Sequence, residues 1–245
     1  MSLHVKVNGS WRQVAIPYVK VSNSWRVCAD IFVKVHGVWK SIVYKSGSQE
    51  YTSGSGTFTV PIGCTKLTLK MTGGGGKGGN GTERGNGGGG GGGGAGGYFY
   101  KNINVVPLQT ISYTVAGSGE ASVFGGNVAR GGGNGGDGIK DSNSGGGAGG
   151  VGGTVSPYGA ESGGVYGQTG SRGQGGTNDH SSGIGGNGAN AHGNYGVGGA
   201  GGDRADGRPS SGYGAGGGGA GFRDRSNPYI WYGAIGGPGK INLYW

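Results

Sequence analysis

The residues best suited to molecular recognition lie near the carboxyl end of the chain, at positions 222–232. The sequence there is Phe222-Arg223-Asp224-Arg225-Ser226-Asn227-Pro228-Tyr229-Ile230-Trp231-Tyr232. Aromatic and arginine side chains dominate the strongest contacts of protein interfaces, because they combine large rigid surfaces with hydrogen-bonding groups. The segment is therefore a candidate binding loop. Packing of Trp231 against the edge of its own fold is the alternative for that residue.

A second set of aromatic and basic residues recurs with a period of 14 near the amino terminus. Each of three tryptophans is followed by a base, in the pairs Trp11-Arg12, Trp25-Arg26 and Trp39-Lys40. A Val-Lys-Val triplet precedes each pair, and the turn-type dipeptides Asn8-Gly9, Ser22-Asn23 and His36-Gly37 lie between. This pattern predicts one β-hairpin per repeat.

Two arrangements of the three hairpins remain open. The hairpins can stack on a small shared core, with Tyr18, Phe32 and Tyr44 as additional rings that close the repeats. Alternatively, their three equivalent faces can cap the end of a three-fold symmetric partner, one face to each subunit.

Residues with catalytic or metal-binding potential lack the spacing that such chemistry requires. Gly76-Lys77-Gly78 has no Ser or Thr after the lysine, as a phosphate-binding loop would. The four histidines and two cysteines, at positions 4, 36, 180, 192, 28 and 64, form no zinc or redox motif. The sequence therefore predicts no enzyme activity, no cofactor and no metal.

The elements that position these residues are unusual, because 71 of the 245 residues are glycine. Only six glycines precede Gly73, so the composition changes sharply along the chain. We predict two domains, with the hairpin repeats in residues 1–50 and the glycine-rich part in residues 51–245. With 32% hydrophobic residues, a conventional core can form only locally. Alternating segments that predict strands interrupt or flank the glycine runs, at positions 57–61, 66–70, 110–115 and 240–245.

The glycine runs themselves are too dense for ordinary helices or sheets. Without Cβ atoms, extended helices of three residues per turn can approach closely enough to hydrogen-bond to one another, which would replace an apolar core. A flexible linker is the alternative that composition alone allows.

Several of these motifs together resemble glycine-rich tail-fibre proteins of bacteriophages. They are Phe58-Thr59-Val60-Pro61, the run from Leu67 to Gly76, the strand-like Ile111 to Gly117, the step Ser122-Val123-Phe124-Gly125-Gly126 and the closing segment 240–245. The chain is similar to the long-tail-fibre tip adhesins of T-even-type phages, in particular the T2-like class. The motifs cover residues 51–245, and the hairpin repeats match by architecture.

The resemblance implies a fold and a set of partners. The fold class is β plus irregular, with a three-fold β-hairpin repeat domain followed by a polyglycine type II helix sandwich framed by a few β-strands. The first domain would attach one copy of the chain to the trimeric distal long-tail-fibre protein. Loops at the far end would bind a Gram-negative outer-membrane protein, by preference a porin, with lipopolysaccharide as an additional contact.

A count of glycine segments places the loops. If the strands at 57–71 and 240–245 share one end, every second connector among ten segments lies at the far end. These connectors are 80–84, 137–144, 168–172, 189–195 and 222–232, whereas 98–116, 154–158, 177–182 and 203–211 lie near the strands. The far connectors supply the candidate receptor-binding residues Lys140, Asp141, Asn143, Gln168, Arg172, Asn190, His192, Asn194, Tyr195, Phe222, Arg223, Arg225, Asn227, Tyr229, Trp231 and Tyr232, and segment 222–232 is expected to be the main contact.

The formal net charge of +9 and the single Arg130-Gly131-Gly132 leave a nucleic-acid-binding protein as a weaker alternative. A tail-fibre assembly chaperone is the closer one, although a chaperone gains nothing from elaborate loops. The sequence has no secretory signal pattern and no apolar run long enough to span a bilayer. We therefore expect synthesis and assembly in the host cytoplasm, a final location at the fibre tip of the virion, and no membrane insertion or nucleic-acid partner.

Overall fold

The computed structural model describes residues 3–14, 18–27, 31–41, 46–82, 88–139, 146–153, 155–156, 166–168, 186–188, 191, 196–202, 205–221 and 230–245. The regular elements among these residues are all β-strands, and none of them is a helix. The β-rich fold class that the sequence predicts is confirmed at this level.

The first six strands form three separate two-stranded antiparallel hairpins. They are β1 (Leu3–Val7) with β2 (Ser10–Val14), β3 (Tyr18–Val21) with β4 (Ser24–Val27), and β5 (Phe32–Val35) with β6 (Val38–Ser41). Both central turn residues have positive φ in each hairpin, for example 50° at Asn8 and 82° at Gly9. Such turns match the right-handed twist of the strands, which is why Asn and Gly are favoured there.

The three tryptophans occupy the same position in each hairpin. Trp11, Trp25 and Trp39 pair across the strands with Lys6, Lys20 and Lys34. Their side chains are 69%, 68% and 65% exposed. A shared core in which each tryptophan covers its neighbour is therefore wrong for the described residues; Tyr18 and Phe32 are also exposed, and Tyr44 lies outside the described residues.

Two five-stranded sheets follow the hairpins. Their strands are β7 (Ser48–Tyr51), β8 (Ser55–Thr59), β9 (Lys66–Thr72), β10 (Tyr98–Asn104), β11 (Thr110–Thr114), β12 (Ser122–Phe124), β13 (Asn127–Ala129), β14 (Val155–Ser156), β15 (Tyr166–Gln168) and β18 (Lys240–Tyr244). The first sheet has the order β15-β10-β9-β18-β7 and the second the order β14-β13-β12-β11-β8. The short strands β16 (Gly196–Val197) and β17 (Ser211–Gly212) pair with each other and form a separate two-stranded sheet.

Alternating side chains of the two sheets build the hydrophobic core. Leu67, Leu69 and Met71 are fully buried on β9 and pack in one cluster with Phe58 and Phe124 of the second sheet. The cluster also includes Val60, Cys64, Phe99, Val105, Ile111, Val115, Ala129, Ile241 and Leu243. The four strands predicted from alternation at 57–61, 66–70, 110–115 and 240–245 are thus confirmed as β8, β9, β11 and β18.

Glycine segment 73–81 continues directly from β9 and is hydrogen-bonded through every backbone N–H. The bonds repeat every third residue, so that each of three faces meets a different neighbour. On the first face, the N–H groups of residues 73, 76 and 79 donate to the carbonyls of residues 97, 94 and 91. On the second face, residues 75, 78 and 81 donate to the carbonyls of residues 237, 234 and 231. On the third face, residue 74 donates to the backbone carbonyl of Glu120, and residues 77 and 80 donate to the side-chain oxygens of Asn134 and Asp137. The glycine-rich part is therefore an ordered lattice here and not a flexible linker.

Segment 88–97 shows the same three-residue repeat. Its residues 88, 91, 94 and 97 donate to carbonyls of 139, 136, 133 and 130, and residues 90, 93 and 96 donate to those of 220, 217 and 214. A Cβ atom on Gly93 would overlap the carbonyl oxygen of Gly76, since the two backbones lie side by side. Close backbone approach explains why glycine is required here.

Candidate recognition surfaces

The glycine lattice has two ends. At the strand end, Gly73, Gly97 and Gly239 join β9, β10 and β18. At the distal end, the Gly81 N–H donates to the Trp231 carbonyl and the Gly88 N–H to the Ile139 carbonyl. Glycine segments therefore separate the residues at the distal end from the two sheets, as expected for a recognition surface on a spacer.

The hydrogen bonds give each segment a direction. Segment 73–81 runs away from the strand end, because it follows β9. Segment 130–139 is parallel to it, since residues 132 and 135 donate to the carbonyls of residues 74 and 77. Segment 214–221 is also parallel to it, since residues 217 and 220 donate to the carbonyls of residues 76 and 79. Segments 88–97 and 231–239 return toward the strand end. Segment 146–153 also returns, since residues 147, 150 and 153 donate to 89, 92 and 95. For connectors 80–84, 137–144 and 222–232, the described flanking segments have the directions predicted from the count.

Two predicted segments run the opposite way. Gly199 and Gly202 donate to Gly216 and Gly219, so segment 198–202 is parallel to 214–221 and runs outward. The Gly186 N–H donates to the Gly90 carbonyl, and the Gly186 carbonyl accepts from the Gly219 N–H. The Gly188 N–H donates to the Gly199 carbonyl, nearer the strand end. The directions predicted for 183–188 and 196–202 are therefore wrong, and the described residues beside connector 189–195 are on the strand side.

The count failed at two places. It took 159–167 as an outward glycine segment, although residues 166 and 167 belong to β15 at the strand end. It also missed a returning segment that contains few glycines. Residues 205–208 form a returning segment: the N–H of Gly218 donates to the Arg208 carbonyl, and that of Gly221 donates to the Ala205 carbonyl. Asp206 and Arg208 are exposed, so this segment carries side chains on its outer surface while its backbone bonds inward. It had been predicted as part of a connector near the strands, 203–211.

Two other positions also differ from the predictions. Gln168 was predicted at the far end, but it is the last residue of β15 and pairs with Tyr98 at the start of β10. Residues 122–129, predicted as part of a glycine segment, form the β12–β13 hairpin, whose turn residues Gly125 and Gly126 have φ of 53° and 84°. The Ser-Val-Phe-Gly-Gly motif is thus a strand and its turn.

Only two of the predicted receptor-binding residues can be placed at the distal end. Tyr232 is 58% exposed, and its N–H donates to Asp206 Oδ1 at 2.6 Å. Trp231 is half-buried, and its indole nitrogen is buried without a hydrogen-bond partner. The Trp231 side chain therefore faces partly inward, which favours the packing alternative, whereas Tyr232 faces solvent.

The other predicted receptor-binding residues lie outside the described residues. They are Lys140, Asp141, Asn143, Arg172, Asn190, His192, Asn194, Tyr195, Phe222, Arg223, Arg225, Asn227 and Tyr229. Sequence reasoning missed two described residues near the distal end. Ile139 is 52% exposed, and Asp206 fixes the backbone of Tyr232. Asp206 had been assigned to the opposite end by the count, so no sequence signal pointed to it.

The hairpins present the second candidate surface. Lys34 Nζ lies 5.9 Å from the centroid of the Trp39 ring, a cation–π arrangement on one hairpin face. Arg12 and Arg26 are exposed on the opposite face, since they pair with Val5 and Val19. Among the predicted attachment residues, Lys40 occupies the matching position in β6, opposite Val33.

Chemistry-bearing residues in the described part of the chain are otherwise few. No group of three His, Cys, Asp or Glu residues there has the geometry to hold a metal ion. Burial raises the pKa of the Cys64 thiol, whose Sγ–H donates to the Lys66 carbonyl at 3.2 Å. Arg130 is exposed, but its carbonyl and the Gly132 N–H are bonded within the lattice.

Within the described ranges, no helix is both long and apolar enough to cross a bilayer. A scan against models of known protein families gave no match, and a search of curated proteins found no similar sequence.

Proposed function

We propose that the chain is the receptor-binding tip protein of a bacteriophage long tail fibre. One copy docks on the trimeric distal fibre protein through the three hairpins. The glycine-rich part is a spacer and frame, and loops at its distal end bind an outer-membrane protein of a Gram-negative host. A porin is the receptor class we prefer, with lipopolysaccharide as an additional contact.

The observation that carries the proposal is the set of three matching hairpins. Trp11, Trp25 and Trp39 have the same cross-strand partner type and are 65–69% exposed. Exposed apolar patches of this kind mark interaction surfaces in soluble proteins. Three copies of one surface on a single chain suit a partner with three-fold symmetry.

The glycine segments are, in this proposal, polyglycine II helices stacked in a sandwich. The three-residue repeat of their hydrogen bonds supports this assignment, because such a helix has three residues per turn and directs successive N–H groups to different neighbours. The lattice holds the distal loops on a rigid frame, and rigid positioning lowers the entropy cost of binding.

The distal recognition surface is proposed on the loops between described ends 82 and 88, 139 and 146, 202 and 205, and 221 and 230. Exposed Tyr232 and Ile139 support this placement. Connector 189–195 is left out of the surface because of the directions of its flanking segments. Gln168 is left out because it belongs to a sheet.

Attachment is tested by co-elution of the purified chain with the purified trimeric distal fibre protein in size-exclusion chromatography. We expect one chain per trimer for the wild type and loss of co-elution for Trp11→Ala/Trp25→Ala/Trp39→Ala. The matched control Val151→Thr changes an equally exposed residue outside the hairpins and should co-elute normally. Co-elution of the triple variant at wild-type level would show that the hairpins do not form the attachment surface.

Mass spectrometry of finished virions separates an adhesin from an assembly chaperone. The adhesin remains in the particle, whereas a chaperone that acts transiently is absent from it. Absence of the chain from infectious virions would overturn the proposed function.

A further inference from the structure

Five dipeptides in the described part of the glycine lattice consist of an asparagine or aspartate followed by glycine. They are Asn80-Gly81, Asn134-Gly135, Asp137-Gly138, Asn187-Gly188 and Asp206-Gly207. Such dipeptides are easily altered by spontaneous chemistry, because glycine has no Cβ atom to hinder its own backbone nitrogen and lets the backbone turn freely. The hydrogen bonds around these five dipeptides therefore bear on the chemical stability of the chain.

The reaction at asparagine begins when the nitrogen of the following glycine loses its proton and attacks the side-chain carbonyl carbon. A carbon–nitrogen bond forms, the side-chain amide nitrogen takes up a proton and leaves as ammonia, and a five-membered succinimide ring results. Solvent water then opens the ring to aspartate or isoaspartate. Aspartate forms the same ring with the loss of water. Both reactions need a side-chain carbonyl group that can rotate towards an unbonded backbone nitrogen.

In three of the five dipeptides, these two groups are hydrogen-bonded to a single residue of a parallel neighbouring segment. The Lys77 N–H donates to Asn134 Oδ1 at 2.9 Å, and the Gly135 N–H donates to the Lys77 carbonyl at 2.8 Å. The two bonds close a ring between the segments. The other two cases are Asp137-Gly138 with Asn80 and Asp206-Gly207 with Tyr232.

The remaining two dipeptides face antiparallel segments and bond there to two residues that lie two positions apart. Asn187 Oδ1 accepts from the Gly201 N–H at 2.8 Å. The Gly188 N–H donates to the Gly199 carbonyl, also at 2.8 Å. The other case is Asn80-Gly81 with Gly233 and Trp231. In all five dipeptides, the side-chain oxygen and the glycine nitrogen are thus hydrogen-bonded at the same time.

These sites are distinguished by hydrogen bonding and not by burial. Asn134, Asp137, Asn187 and Asp206 are exposed, so the water that opens a succinimide ring can reach them. The lattice hinders the earlier step instead. The side-chain oxygen must leave its donor and the glycine N–H must leave its acceptor before the two groups can meet. Ring closure therefore requires a local opening of the segment.

Asn8-Gly9 in the turn of the first hairpin is the contrasting case. Both residues are exposed, and a Cβ atom on Gly9 would have no atom within 4 Å. Within the described part of the chain, neither the Asn8 side chain nor the Gly9 N–H is hydrogen-bonded. A two-stranded hairpin is only marginally stable on its own in water, so this turn opens more readily than the lattice.

We propose that, among the Asn-Gly dipeptides that the structure describes, spontaneous deamidation is directed to Asn8, because the paired hydrogen bonds of the lattice block succinimide formation at the others. The reaction converts a neutral turn residue into an acidic one. As isoaspartate, it also adds a methylene group to the main chain of a two-residue turn, whose length fixes the strand register. The inference goes beyond the proposed function and does not depend on it.

Peptide mapping of the full-length chain by mass spectrometry measures the rates. The folded chain and the chain unfolded in guanidinium chloride are incubated at mildly alkaline pH, and trypsin then separates Asn8, Asn80 and Asn134 into different peptides. We expect Asn80, Asn134 and Asn187 to deamidate at least about tenfold more slowly in the folded chain, because both hydrogen bonds must open first. The rate at Asn8 should differ between the two states by less than about threefold.

Two variants serve as matched controls, and thermal denaturation verifies that each of them folds. His36→Asn places the same dipeptide in the turn of the third hairpin, since Gly37 follows, and position 36 should then deamidate at the rate of Asn8. Lys77→Pro removes the N–H that donates to Asn134 Oδ1, and the fixed φ of proline suits an extended helix of three residues per turn. Asn134 should then deamidate about fivefold faster, as the loss of one hydrogen bond implies, whereas Asn187 should keep its rate.

Three results would overturn the proposal. Deamidation of Asn134 at one and the same rate in the folded and the unfolded wild-type chain would exclude protection by the lattice. A rate at Asn8 in the folded chain as low as that at Asn134 would exclude Asn8 as the preferred site. An unchanged rate at Asn134 in folded Lys77→Pro would show that the paired hydrogen bonds are not the cause of the protection.

Discussion

Gly135 and Gly136 are neighbours in the chain, yet a Cβ atom would approach the surrounding backbone much more closely at Gly135 than at Gly136. A Cβ atom on Gly135 would overlap the carbonyl oxygen of Gly91, which lies in the adjacent glycine segment. On Gly136 the nearest atom, the backbone nitrogen of Ala148, would be 3.2 Å away. The requirement for glycine is therefore decided by the neighbour that each position faces.

Gly135→Ala is expected to lower the free energy of unfolding by about 2–3 kcal/mol, because the clashing atom is backbone and overpacking of this kind typically costs 1–3 kcal/mol. Gly136→Ala, at an exposed position, should change it by less than about 1 kcal/mol. Thermal and urea denaturation of both variants measure the difference. Equal stability of the two variants would contradict the close backbone packing of the lattice.

Some residue-scale features are predictable from sequence, and others depend on neighbours that are distant in the chain. Asn8-Gly9 and His36-Gly37 predict hairpin turns because local backbone preference is sufficient. The roles of Gly135 and Asp206 depend on segments that approach only in the folded chain. Likewise, the outward position of Tyr232 and the inward indole nitrogen of Trp231 do not follow from their residue types.

At the scale of elements, asparagine and aspartate side chains complete the lattice where a neighbouring carbonyl is absent. Lys77 N–H donates to Asn134 Oδ1 at 2.9 Å, and Asn80 N–H donates to Asp137 Oδ1 at 2.7 Å. The Asn187 side chain accepts from the Gly201 N–H in the same way. The side-chain oxygens of these polar residues thus accept hydrogen bonds from backbone N–H groups of glycine segments, in place of backbone carbonyls.

Asp137→Ala should therefore accelerate amide hydrogen exchange at Asn80 by more than about fivefold, as the loss of a net hydrogen bond worth about 1 kcal/mol implies. Gly76 and Gly79, which donate to buried backbone carbonyls, should keep their exchange rates. Asp137→Asn retains an acceptor and should restore slow exchange at Asn80. NMR hydrogen exchange measures all three sites, and an unchanged Asn80 rate in Asp137→Ala would contradict this side-chain cap.

The strands were more predictable than the glycine segments. The alternation around Leu67 and Leu69 identifies β9 because strand periodicity is a local property. A glycine segment has no alternation of apolar and polar side chains that would identify it. Its direction depends on the segments with which it pairs, and these are distant in the sequence. Segment 205–208 was missed because Asp206 and Arg208 make it look like a connector, although its backbone bonds as the glycines do. This omission and the counting of the β15 residues in a glycine segment together reversed the predicted directions of 183–188 and 196–202.

At the scale of the whole molecule, the lattice separates two surfaces of different character. The strand end carries the two sheets with the apolar core, and β7 of the first sheet follows the hairpins in the chain. The described residues at the distal end include the exposed Ile139 and Tyr232. The assignment of hairpins to the fibre and of loops to the host predicts that the two activities can be removed independently.

Adsorption of virions that carry Tyr229→Ala/Tyr232→Ala tests this assignment most directly. Tyr232 is exposed, so its removal should spare the fold, whereas Trp231 is avoided because its indole nitrogen is buried. The control Ile235→Ala changes a residue that is 65% exposed between the two ends. We expect the tyrosine variant to be incorporated into fibres at the wild-type level and to adsorb to host cells at least about tenfold more slowly, a loss of about 1.4 kcal/mol. Wild-type adsorption by virions that contain the variant would contradict the distal recognition surface.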